Sequence, residues 1–120
     1  MKSIRQVSFL IVLAATVLFT SLDSSAQQIY RGNDLVQMLR EHEKADRGDP
    51  SKNFFRDGFY VGYVAGVYDS TGFFFTPPEN VTLGQICSIV AKHLKENPER
   101  WTLPASILVL EALIKAFPKR

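Results

Sequence analysis

Apolar and polar positions along this chain recur with a helical period. Leu35, Met38, Leu39 and His42 stand at i, i+3, i+4 and i+7, one face of a first helix, and Asn33 is placed to cap its start. The polar stretch Lys44 to Lys52, with Gly48 and Pro50 inside it, ends that helix. A second helix is predicted from about Asn53 to Ser70, followed by a loop from Thr71 to Asn80 that carries Phe73, Phe74 and Phe75 ahead of Pro77 and Pro78. The third helix has the fullest start signal. Thr82 and Gln85 form a capping box, and Val81 and Ile86 hold the positions of a hydrophobic staple. Leu83, Ile86, Ile89, Val90 and Leu94 make its apolar face, and Asn97-Pro98 stops it. Thr102 and Pro104 suit the start of a fourth helix, which Pro118 ends. From Leu103 to Phe117 the only charges are Glu111 and Lys115, spaced as an i,i+4 pair on a solvated face. The rest of that helix is apolar nearly all round, which places it at the centre of the core or in an interface with a second subunit. The pattern predicts an all-α domain of four helices.

The second helix carries Gly58, Gly62 and Gly66, one residue in four on one face. Each costs about 0.5–1 kcal/mol against alanine in a helix interior. Close backbone approach of another helix, within the domain or across a dimer, is the expected compensation. Membrane spans use such stripes, but Arg56, Asp57 and Asp69 flank this one and argue against burial in lipid.

The first residues read differently from the rest. Lys2 and Arg5 precede an uncharged apolar run from Phe9 to Leu22, and Ser24-Ser25-Ala26 follows. These are the parts of a secretory signal peptide. The run is short for a transmembrane helix, which needs about 20 apolar residues. Cleavage is expected after Ala26, with residues 1–26 removed and residues 27–120 forming the exported domain, in which Gln27 to Gly32 is a leader into the first helix. No membrane association is expected after cleavage. The whole chain has 14 Lys+Arg against 12 Asp+Glu, a net charge of +2. With no concentrated basic stretch, nucleic acid is not an expected partner. Cys87 is the single cysteine, so no disulfide can form within the chain. Small exported domains commonly depend on such links; packing or a partner subunit must stand in for them here, and a homodimer is expected.

Candidate catalytic chemistry is sparse. His42 lies between Glu41 and Glu43, but the spacing that puts two zinc-binding histidines on one helical face is missing. His93 stands alone as a packing or surface histidine. Cys87 sits on an amphipathic helix and reads as a buried thiol, without the neighbouring base that a nucleophile requires. The three glycines do not form a phosphate loop, which needs a strand-to-helix turn. Asn80-Val81-Thr82 matches a glycosylation acceptor but coincides with the helix cap, which is the stronger reading. Neither an enzyme nor a cofactor or metal site is expected.

Two segments have the look of recognition surfaces. The phenylalanines of the 71–80 loop read as plugs for the core, and so as scaffold. The segment from Lys95 to Thr102 offers Lys95, Glu96, Glu99 and Arg100 around Trp101, on a short connection between two well-marked helices. Trp and Arg are enriched among residues that dominate binding energy.

Three blocks carry a family resemblance. They are Gly62-Tyr63-Val64-Ala65-Gly66-Val67-Tyr68-Asp69, then Pro77-Pro78-Glu79-Asn80-Val81-Thr82-Leu83-Gly84-Gln85, and then Pro104-Ala105-Ser106 with Glu111-Ala112-Leu113 and Ala116-Phe117-Pro118. Over about residues 30 to 118 the chain resembles the Rap/Tai immunity family, proteins that neutralise peptidoglycan amidases delivered by type VI secretion systems. The resemblance implies a periplasmic, helical, usually dimeric protein whose surface loops plug the substrate cleft of a secreted cell-wall amidase. It also implies cysteines near the positions of Leu39, Tyr60, Phe75 and Lys119, none of which is a cysteine here. The resemblance does not say which of the two long loops enters the cleft; residue chemistry favours Lys95, Glu96, Glu99, Arg100 and Trp101. A periplasmic chaperone or acid-stress helper, built as a small helical dimer, is the competing reading. Such a protein is expected to have a mobile, charge-rich end, whereas this chain is capped and packed up to Pro118. A structural subunit of an envelope complex is a third.

Overall fold

The computed structural model describes residues 28–120 together with Arg5, Gln6 and Ser8. The expected signal peptide and its cleavage point after Ala26 lie outside the described residues. Residues 28–120 form four α-helices: α1 (Gly32–Asp46), α2 (Phe54–Thr71), α3 (Leu83–Glu96) and α4 (Ala105–Ala116). Short 3₁₀ turns follow α2 (Gly72–Phe74) and α3 (Pro98–Arg100). The all-α expectation holds over this stretch.

Capping chemistry sets most of the starts. Thr82 accepts from the Gln85 amide at 3.2 Å while the Gln85 side chain accepts from the Thr82 amide at 2.8 Å, completing the capping box read from the sequence. Asn53 caps α2 by accepting from the Arg56 amide at 3.0 Å. The start of α1 differs from expectation. Asn33 lies inside the helix, Arg31 is the residue before it, and the Arg31 amide donates to the Asp34 carboxylate at 2.9 Å. The first two helical donors look outward instead. Gly32 N–H donates to the Leu103 carbonyl at 2.9 Å and Asn33 N–H to the Trp101 carbonyl at 2.8 Å. A neighbouring segment thus satisfies groups that a capping side chain would otherwise serve.

One core joins the four helices. Leu35 and Leu39 of α1, Tyr60 and Val64 of α2, Val90 and Leu94 of α3, and Leu108, Val109 and Leu113 of α4 are all buried. Cys87 is buried as expected, and burial pushes its thiol pKa upward, with the Asp46 carboxylate adding to the effect. Tyr60 donates its hydroxyl proton to the Cys87 carbonyl at 2.7 Å, and burial likewise raises its pKa. His42 is fixed between α1 and α2: its Nδ1 lies 2.7 Å from Asp57 and its ring sits 5.0 Å from that of Tyr60.

Two expectations need correction. Of the three phenylalanines expected to plug the core, only Phe75 does so, at 3 % exposure; Phe73 and Phe74 meet each other at the surface with tilted rings, 64 % and 46 % exposed. Thr76 explains the difference. Its amide donates to the Phe117 carbonyl at 3.0 Å, seating Phe75 beside Tyr68 and Phe117, while the turn before it faces outward. The second correction concerns Gly58, Gly62 and Gly66. All three are exposed, and a Cβ added at any of them would meet nothing within 4 Å. Among the described residues no helix approaches there, which removes packing within the domain as the compensation. The close approach is at Gly32, where a Cβ would lie 2.5 Å from a Leu108 methyl and 2.7 Å from the Trp101 Cα.

Gly32→Ala should therefore destabilise the fold by about 1–3 kcal/mol, the usual cost of overpacking. Gly62→Ala should be neutral, or stabilising by up to about 1 kcal/mol through helix propensity. Urea unfolding of the two variants beside the wild type checks both. A second expectation concerns acid. Glu41 accepts from the Asn53 amide at 2.8 Å and from Lys44 at 3.0 Å, and these bonds hold its pKa below the usual 4.5. Asp49 is lowered in the same way by the Ser51 amide and hydroxyl. A carboxylate lowered by folding adds stability at neutral pH that disappears as pH falls from the unfolded value through the folded one. Amide protection at Ser51 and Asn53 should accordingly fall between neutral pH and pH 3, and Glu41→Gln should reduce that dependence in hydrogen-exchange measurements.

Candidate functional site

The segment between α3 and α4 is built from its backbone outward. Asn97 closes α3 by donating its side-chain amide to the His93 carbonyl at 2.8 Å. Pro98 then opens a 3₁₀ turn, in which the Arg100 amide reaches the Asn97 carbonyl at 3.0 Å and the Trp101 amide reaches Pro98 at 3.3 Å. Trp101 folds back so that its indole N–H donates to the Leu94 carbonyl at 2.8 Å, joining the Asn97 backbone amide, which reaches the same acceptor at 3.3 Å. From the other side, residues 30–33 bind the segment like a short strand. Besides the Gly32 and Asn33 donors, the Ala105 amide reaches the Tyr30 carbonyl at 3.0 Å, and the Arg31 guanidinium donates to the Thr102 carbonyl at 2.8 Å.

Side chains split into two groups on this frame. Lys95, Glu96 and Glu99 are exposed. Lys95 pairs with Glu43 of α1, and Glu96 lies 3.8 Å from Lys92 in an open i,i+4 pair. Glu99 makes no hydrogen bond or ion pair among the described residues. Arg100 and Trp101 are half-buried and tied to the frame. The Arg100 guanidinium pairs with Glu111 of α4, and Trp101 packs half-buried against the core. A cleft of about 210 Å³ separates the segment from α1, with Arg40, Glu43, Lys95, Pro98 and Trp101 among its walls. Of the five residues named from the sequence, three can be offered to a partner directly and two hold the frame.

Glu111 carries a correction. Its expected partner was Lys115, one turn along the same helix. Its carboxylate instead receives Arg100 and approaches His93 Nε2 at 3.5 Å, an ion-pair separation when the imidazole is protonated but too long for a good hydrogen bond. The 3₁₀ turn brings one guanidinium nitrogen of Arg100 to the carboxylate, while Arg100 Nε finds no hydrogen-bond partner among the described residues. Sequence spacing misses this contact, since Arg100 and Glu111 sit on different elements. The isolated carboxylate in an otherwise apolar helix was the available signal.

The rest of the site chemistry is structural. Among the described residues no cluster of His, Cys, Asp or Glu could hold a metal ion, and no helix is long and apolar enough to cross a membrane. The glycine face of α2 and the 95–101 segment are separate features of the surface.

No curated protein and no solved structure matches the chain. A family model does: that of the Rap1a immunity proteins matches residues 31–118. The match opens on Arg31, where the short strand meets the 101–105 segment, and closes just past Phe117, where the C-terminus is pinned to Thr76. Covering all four helices and both of these ties, it shows that the chain belongs to the Rap1a immunity protein family.

Proposed function

We propose that this protein acts in the periplasm after removal of residues 1–26, where it binds a peptidoglycan amidase delivered by a type VI secretion system and occludes its active-site cleft. Family membership supports effector immunity. The observation that carries the cleft-plugging reading is the rigid presentation of the 95–101 segment. The carbonyls at and just past its C-terminal edge, those of Trp101, Thr102 and Leu103, are taken by residues 31–33, and Glu99 projects from it unengaged. Such a loop surrenders little conformational freedom on binding, so a few contacts yield affinity without any chemistry by the inhibitor. Lys95, Glu96 and Glu99 supply those contacts; Arg100 and Trp101 keep the loop in shape.

The protein is further proposed to be a homodimer. Phe54 and Phe55 at the start of α2 and Ile107 and Ile114 on α4 are exposed, and the glycine face of α2 lies open between helix ends. This is much apolar surface for a small chain to leave in water. Light scattering of the periplasmic protein should give twice the mass of the form beginning at Gln27, as read by mass spectrometry. Gly62→Leu meets open space within the chain and should keep the fold. If the glycine face is the dimer contact, it halves the scattering mass; an unchanged dimer rules that face out.

Co-purification with a peptidoglycan amidase of a type VI secretion system, followed by an amidase assay, tests the central reading. Glu99→Ala should leave thermal unfolding unchanged and weaken inhibition at least tenfold, about 1.4 kcal/mol. Trp101→Ala should instead lower stability by about 3 kcal/mol, the lower end for aromatic truncation. Full inhibition by folded Glu99→Ala together with Glu99→Arg removes the segment from the contact.

A further inference from the structure

His93 stands in the last turn of α3, its side chain 12 % exposed, at the point from which the 95–101 segment departs. Its two ring nitrogens face opposite kinds of group. Nδ1 lies 3.5 Å from the Asn97 side-chain nitrogen, and Nε2 lies 3.5 Å from the Glu111 carboxylate. The Asn97 amide cannot be turned over. Its nitrogen donates to the His93 carbonyl at 2.8 Å, and an oxygen in that place would meet another acceptor. A donor therefore faces Nδ1, which assigns the proton of the neutral ring to Nε2. That Nε2–H is buried without a hydrogen-bond partner among the described residues. The acceptor it points toward, Glu111, stays beyond reach with Arg100 on its other oxygen.

A second proton on the ring acts on both sides at once. At Nε2 the imidazolium gains an ion pair with Glu111 and competes with Arg100 for that carboxylate. At Nδ1 a new N–H meets the Asn97 N–H, donor against donor, and the amide must leave its place. Asn97 and Arg100 are the two ends of the 3₁₀ turn, joined by the bond from the Arg100 amide to the Asn97 carbonyl. One proton thus disturbs both ends of the frame that presents Glu99. The charges around the ring divide. Lys92 and Glu96 of α3 and Lys115 of α4 line the same cavity as His93, and Arg100 approaches from the turn. The three cations oppose a positive ring; Glu111, Glu96 and the negative end of α3 favour it. Lys92 and Glu96 lie 3.8 Å apart and largely offset each other. Among the described residues, α1 and α2 bring no carboxylate within ion-pair distance of the ring.

We propose that His93 is a proton-operated gate on the 95–101 segment: the neutral ring leaves the segment in its binding shape, and protonation releases Asn97 and Arg100 and loosens it. His93 is a positioning residue, acting through the turn and not by touching a partner. Resting on the reading of this segment as the inhibitory plug, the gate makes capture of the effector weaken in acid.

Trp101 is the single tryptophan and lies in the segment, so its fluorescence tests the gate without the effector. From about pH 8 to about pH 5, the range in which histidine changes charge, its emission should shift to the red in one step while far-UV helicity stays constant. The chain has two histidines. His93→Gln should abolish the step and His42→Gln should leave it. Proton NMR of the wild type covers the case in which His93→Gln does not fold: the His93 ring protons and the Trp101 indole proton should move with one midpoint. Emission indifferent to pH, a step that persists in folded His93→Gln or vanishes in folded His42→Gln, or separate NMR midpoints overturns the gate. A peptidoglycan amidase of a type VI secretion system separates the two readings. Between about pH 7.5 and about pH 5.5 the wild type should lose affinity for it about tenfold, as when about nine-tenths of the segment has left its binding shape. His93→Gln should hold its affinity over the same interval. Equal weakening of both proteins puts the titration elsewhere and overturns the gate, although the inhibitor reading stands. Failure of both to bind at the higher pH removes the inhibitor reading, while the fluorescence titration still decides the gate.

Discussion

The fold depends on how the first turn of α1 meets the backbone of the 101–105 segment. Two amides that begin a helix find acceptors in the carbonyls of Leu103 and Trp101, far along the chain, and a guanidinium takes the carbonyl between them. The arrangement works only if the two backbones nearly touch, and this is why residue 32 has no side chain. A Cβ there would overlap both Trp101 and Leu108. The same contact does two things at once. It ends the orphan donors of a helix start, and it removes from the 101–103 stretch the freedom to adopt any other shape.

Electrostatics extend the constraint outward. Glu111 draws Arg100 against α4, Glu43 draws Lys95 toward α1, and His42 joins α1 to Asp57 at the head of α2. Most of these pairs are partly exposed, so each contributes little energy alone, on the order of 0–1 kcal/mol. Their effect is on geometry. The first two tie the segment to α4 and α1, and the third ties α1 to α2.

The sequence was most legible where local chemistry decides the outcome. The capping box of Thr82 and Gln85 and the cap at Asn53 lie within one turn of the amides they serve, so spacing alone identifies them. Helix number, the burial of Cys87 and most of each apolar face followed from periodicity, but Leu83, read as part of one such face, is 44 % exposed. Failures occurred where distant parts of the chain meet. Gly32 looked like part of a leader and is the crowded glycine, while three evenly spaced glycines, read as a packing seam within the domain or across a dimer, meet no helix of the domain among the described residues. Phe73, Phe74 and Phe75 are identical in composition and adjacent, and a single backbone bond from Thr76 to Phe117 separates the buried one from the two at the surface. Among the proposed contact residues, sequence could group Lys95, Glu96, Glu99, Arg100 and Trp101 but could not sort those that point out from those that hold the frame.

Phe75 and Phe117 have one more consequence. Their rings lie 6.5 Å apart, beside the backbone bond that joins Thr76 to the chain end, at the place where relatives are expected to carry cysteines near positions 75 and 119. Nothing in that closure involves electron transfer. A reductant has no bond to break here, and an oxidant has none to make, since the lone thiol at Cys87 is buried. The native state can therefore be reached without a disulfide catalyst and kept at any thiol potential. Its persistence is set by temperature and solvent, through the hydration of a few aromatic rings.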